Sequence, residues 1–158
     1  MKKLTALLLA VLLVFGLAAC AGSPAEPNAK PGDTMTLQDI LTSITKDVAD
    51  LPDTETTALT KDNFEYFAFT AMPDGVEAIA ADALINAVAH SVVPMRAQDA
   101  ETAKKLAADV EANLNPAKWV CVEAEKTAVL VHNCTVLLVM SWSDVTDALT
   151  ANFNALWS

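Results

Sequence analysis

The chain has 158 residues, is 53% hydrophobic, and carries 20 acidic against 10 basic side chains, for a formal net charge of −10. That length suits one compact domain rather than two. The charge argues against nucleic acid, anionic lipid or polyanionic wall polymer as electrostatic partners, because each would add repulsion where association needs counterion release.

Met1-Lys2-Lys3 gives a positive start, and Leu4 to Leu17 an apolar run too short to cross a bilayer, so the segment reads as a signal peptide. Leu17-Ala18-Ala19-Cys20 follows, with small residues ahead of the cysteine. This stretch resembles the lipobox of bacterial lipoproteins. The resemblance implies that residues 1–19 are removed, that the Cys20 thiol takes a diacylglyceryl group, with palmitate as an acyl chain, and that Cys20 becomes the new N-terminus. The protein would then sit at the cell membrane, lipid-anchored on the extracytoplasmic face. Two acyl chains hold where one is marginal, at about 0.8 kcal/mol per buried methylene. The alternative is a secretory signal with a chance cysteine. Losing Lys2 and Lys3 takes the net charge from −10 to −12.

Residues 20–35 hold Pro24, Pro27 and Pro31 with Gly22 and Gly32 and no apolar pattern, so they read as a flexible tether. At about 3 Å per residue it would reach ~45 Å. The foldable domain is expected over 36–158.

Thr36, answered by Asp39, caps an expected helix over 37–50, whose apolar positions are Leu37, Ile40, Leu41, Ile44 and Val48. Residues 52–59 read as Thr-rich loop, and a short helix through 63–69 holds Phe64, Tyr66, Phe67 and Phe69, a core wedge or an aromatic ligand platform. Residues 76–97 fit a helix or two strands. Val88, Val92, Val93 and Pro94 favour strands over 76–82 and 87–96, with Pro94 at an edge or a bulge. Asp99 caps a helix to about 114. Strand-like runs follow at 119–122, 128–131 and 135–140, with a turn near His132-Asn133. Ser143 caps a last helix reaching 157, with Asp144 and Asp147 favoured in its first turn.

The segments Ala89-His90-Ser91-Val92-Val93, Lys118-Trp119-Val120-Cys121-Val122-Glu123-Ala124-Glu125-Lys126 and Val136-Leu137-Leu138-Val139-Met140-Ser141 resemble a family of uncharacterised lipoproteins of Gram-positive anaerobes. Their shared domain has no assigned function. The resemblance implies strand-strand-helix-strand-strand order and brings no catalytic residue with it. A Gly-Asn turn is usual between that family's last two strands, where this chain has His132-Asn133.

Candidate chemistry is sparse. Cys121 and Cys134 either pair outside the cytoplasm or stay as two separate buried thiols. A tight hairpin whose paired positions sum to 265 would set Cys121 against residue 144. Trp119 and Cys121 would share one inward strand face, leaving Cys134 at the turn as the more reactive thiol. His132 is two residues from Cys134, so the two could share a strand face as a nucleophile–base pair. Glu123 and Glu125 could likewise share a face for acid/base work or Ca²⁺, although Lys126 beside them suggests a solvated edge. His90 and Ser91 are neighbours and so point to opposite faces. With two histidines and four glycines in the whole chain, neither a zinc spacing nor a phosphate loop is present, and Trp119, Trp142 and Trp157 are too scattered to stack a sugar. No cofactor or metal is expected.

The sequence therefore predicts an α+β fold: an antiparallel sheet of about four strands (strand-strand-helix-strand-strand-helix) preceded by an N-terminal helix. Helices 37–50 and 99–114 are expected on one face of the sheet. The expected role is a non-enzymatic binding or accessory module at the cell envelope, held through Cys20. The alternative is an envelope enzyme using Cys134/His132 or Glu123/Glu125.

Overall fold

The computed structural model describes residues 29–158, so the lipobox and Cys20 lie outside the described residues. The elements are α1 (Pro31–Thr34), α2 (Leu37–Thr45), β1 (Thr54–Ala58), α3 (Phe64–Ala68), β2 (Glu77–Ala83), β3 (Ser91–Arg96), α4 (Ala100–Asn113), β4 (Lys126–His132), β5 (Thr135–Ser141) and α5 (Ser143–Ala155). The expected α+β class holds. The sheet has five antiparallel strands in the order β1-β2-β3-β5-β4.

β5 is buried at every position and β3 nearly so, because the sheet is covered on both faces. Alternate side chains supply two cores. Val93, Met95, Val136, Leu138 and Met140 meet Phe64 and the stripe Ala103, Leu106, Ala107 and Val110 of α4. Ala81, Val92, Leu137 and Val139 meet Ile40, Leu41 and Ile44 of α2 and Val145, Leu149 and Phe153 of α5. Each fully buried Leu or Phe contributes about 1.5–3 kcal/mol. The expected placement of helices 37–50 and 99–114 on one face is therefore corrected: α2 and α4 lie on opposite faces, because inward and outward residues of β3 and β5 are equally apolar.

Four other expectations change. Residues 54–58 form an edge strand rather than loop; its side chains are mostly exposed, so it lacks the buried alternation that signals a strand. Pro94 lies in a central strand, paired on both sides, rather than at an edge or bulge. The Ala83 amide donates to the His90 carbonyl (3.1 Å) and the Ala97 amide to the Cys134 carbonyl (2.8 Å). By antiparallel alternation the nitrogen of residue 94 faces β2. The β2–β3 register runs through Ala78↔Met95, omits Ile79–Pro94 and Ala80–Val93, and resumes at Ala81↔Val92, so the missing donor costs one local break. Residues 119–122 form no strand. α2 stops at Thr45 rather than 50: Asn152 Nδ2 takes the Ile44 carbonyl at 2.9 Å, and Asp47 and Asp50 turn left-handed at φ 59°.

The capping expectations for α2 and α4 hold. Thr36 Oγ1 accepts from the Asp39 amide at 3.1 Å, and Asp99 Oδ1 from the Thr102 amide at 2.7 Å. The last hairpin turns at Asn133-Cys134, with Asn133 at φ 49°, and its paired positions sum to 267 rather than 265, as His132↔Thr135 shows.

The fold also begins before residue 36. Arg96 Nη2 donates to the Gly32 carbonyl (3.0 Å) and Nη1 to that of Asp33 (3.3 Å). Asp33 Oδ1 accepts from Asn133 Nδ2 and Trp157 Nε1, both at 2.7 Å. Burial works to raise the Asp33 pKa, but these bonds and the Lys30 amide hold it below the ordinary carboxylate value. Segment 30–34 is thereby clasped to the far end of β3 and to the C-terminal residues.

Candidate functional site

Strand alternation at the start of β3 sends two polar side chains to opposite faces, as the sequence predicted for His90 and Ser91. Ser91 is fully buried on the α4 side. Its hydroxyl donates to Asp82 Oδ1 across the β2–β3 ladder. Lys118 Nζ donates to Asp82 Oδ2 at 2.9 Å and to Ser91 Oγ at 3.0 Å, with its side chain only 4% exposed. The same ammonium lies 5.2, 5.1 and 5.0 Å from the ring centres of Tyr66, Phe67 and Trp119.

A serine beside a lysine invites a nucleophile–base reading, which needs a neutral amine. Here the carboxylate and three π-faces hold the charged form in place. Burial lowers the Lys118 pKa, while the charge and hydrogen bond of Asp82 act to raise it. The cluster acts as a lock, fastening the loop after α4 to the sheet.

His90 points to the other face and is 1% exposed, with Nδ1 2.9 Å from Ser141 Oγ. Burial, followed by smaller opposed contributions from Asp82 and Lys118, pushes its pKa down to about 4, so the imidazole is neutral near pH 7. It lines a half-open groove of about 310 Å³ between α2, the strand β1 and the start of β3. The apolar wall is Leu41, Leu51, Pro52 and Val92, and the polar one Gln38, Thr42, Thr45, Thr54 and Thr56. Among the described residues, the lining holds no acidic or basic group besides the neutral imidazole. Such a surface accepts hydrogen-bonding, uncharged groups and disfavours buried ions.

The residues singled out from sequence are not brought together as a site. Cys20 lies outside the described residues. Cys121 is a free, exposed thiol, so a Cys121–Cys134 disulfide does not form. The expectation that Cys121 is buried is corrected: without a strand, Trp119 turns inward under the Lys118 lock while Val120 is 84% exposed. Cys134 is buried at the turn rather than open to solvent. His132 stacks on Trp157, with ring centres 4.9 Å apart and 9° between planes, and its Nε2 lies 2.8 Å from Asn154 Oδ1. Glu125 accepts from the Ser143 amide at 3.1 Å, a carboxylate at the positive end of α5, and Glu123 is exposed in a loop. The expected Ser143 cap is replaced: Trp142 holds the cap position without a side-chain bond.

Sequence reading missed Asp82, Lys118, Ser141 and the threonine wall. They come from separate segments, and none shows a local spacing. Comparisons of the chain with protein-family models, with curated proteins and with solved structures found no match.

Proposed function

We propose that this chain is a lipid-anchored extracytoplasmic protein that acts as a non-enzymatic binding module at the cell envelope. The address rests on the lipobox-like Leu17-Ala18-Ala19-Cys20. Binding rests on one observation, the uncharged groove over a neutral imidazole fixed by Ser141. A neutral, anchored His90 suits recognition of uncharged groups, because it puts no charge beneath the groove. A general base would need a pKa nearer neutrality. His132, Glu125 and Lys118 are each held in internal contacts.

The test is photo-crosslinking in the native host. A benzophenone side chain at Gln38, on the groove rim, is expected to capture an envelope component. The same group at Lys104, exposed on α4 across the sheet, should not. Absence of an adduct at 38, or equal adducts at both positions, would overturn the binding reading.

A further inference from the structure

β1 is an open edge with a defined outward face. The Leu59 amide donates to the Ala78 carbonyl at 2.9 Å, and the Leu84 amide to that of Asp53 at 3.0 Å. Those two contacts fix the alternation: Glu55, Thr57 and Leu59 bond toward β2, while Thr54, Thr56 and Ala58 present their backbone groups outward. Among the described residues, the one bond from that outward row is a long one, from Asn63 Nδ2 to the Ala58 carbonyl (3.4 Å). Of the usual edge protections, β1 is short and carries the charge of Glu55 but has no proline and no lysine. At the opposite edge β4 starts on Lys126 and is packed by both α4 and α5.

Two further observations say what fits there. Thr54 and Thr56 lie on the groove side of β1 and line the groove, so alternate side chains of an added strand would point toward it. On the other side, Glu55 sits directly across from Asp82, whose charge is answered by Lys118. Glu55 has no ion-pair partner among the described residues. Segment 47–60 carries exposed Asp47, Asp50, Asp53 and Glu55, against exposed Lys46 and Lys61 at its two flanks, the latter paired with Asp74. A second copy pairing antiparallel about Thr56 would bring the carboxylates of both chains into one ribbon, which is unfavourable.

The geometry points to β1 as a strand-addition site: a basic, extended segment of a partner protein pairs with the outward N–H and C=O groups of Thr54, Thr56 and Ala58 and turns uncharged side chains into the groove. This mode takes affinity from the main chain and specificity from alternate side chains. It rests on the binding-module reading and gives the ligand a chemistry.

Random octapeptides displayed on phage can be panned on the mature protein and the enriched peptides synthesised. They should carry Lys or Arg at alternate positions facing Glu55. On binding, the amides of Thr54, Thr56 and Ala58 should become protected from hydrogen exchange, while those of Glu55, Thr57 and Leu59 are protected throughout. Thr56→Pro removes an outward donor without touching the β2 ladder and should weaken binding by roughly tenfold or more. Glu55→Lys, at an exposed site, covers the case in which the proline variant misfolds and should weaken the basic peptides comparably. No enrichment, or full affinity in both variants, overturns the proposal. Outward amides protected without peptide also overturn it, a second copy being the occupant if protection grows with protein concentration and a segment of this chain if it does not. A Gln38 adduct that persists unchanged in Thr56→Pro would sink strand addition and leave the binding module standing.

Discussion

His90 sets an acid limit on the fold. Its pKa falls from an ordinary 6.5 to about 4 because the buried ring cannot be hydrated once charged. Between those values the unfolded chain takes up a proton that the folded chain refuses. This stability is complete above pH 6.5 and is lost as pH drops toward 4, at about 1.4 kcal/mol per pH unit. Asp33 and Asp99, whose pKa values are lowered, lose their contributions further into acid. We expect the wild-type Tm to fall between pH 7 and 4.5 and the Tm of His90→Gln to vary less over that window; parallel curves would refute the assignment. The sequence exposed part of this. Alternation placed His90 and Ser91 on opposite faces, but Ser141 is 51 residues from His90 and no spacing announces it.

The caps of α2 and α4 were legible in the sequence, whereas the cap of α5 and the long-range fastening were not. Thr36 with Asp39 three residues later, and Asp99 by itself, are local signals, and both helices start where they place them. Trp119-Val120-Cys121-Val122 has strand composition, yet a buried lysine directs the segment into a loop. α1 is the clearest case. Pro31-Gly32 reads as tether, but Gly32 is buried because the Trp157 ring lies over it: a Cβ there would come within 2.4 Å of Trp157 Cζ2. Gly32→Ala should displace that ring, loosen the Asp33–Trp157 bond and cost about 1–3 kcal/mol, read as a Tm lower by roughly 5 °C with reduced protection of the Gly32 amide. An unchanged melt would mean that the clasp carries no stability.

At the scale of the molecule, β3 joins two ends with different chemistry. Its Arg96 end holds the clasp to residues 32 and 33, and its Ser91 end holds the lock with the groove beside it. Six residues of strand separate them by roughly 17 Å. If Cys20 is the anchor, the chain enters at the Arg96 end and the groove lies at the other. Cys20→Ala should then move the protein from the membrane fraction to the soluble or unprocessed pool, while Cys121→Ala should not. A mature variant still held in the membrane would remove the anchor.

The clasp also sets an order in time. Asp33 finds its indole donor 124 residues further along the chain. At ordinary synthesis rates that partner appears roughly 6–25 s after Asp33 itself. Until then α1 has neither the ring over Gly32 nor the bond to Asp33, and its four residues cannot hold a helix alone. The first helix of the described fold to be made is thus secured only when the last aromatic side chain arrives.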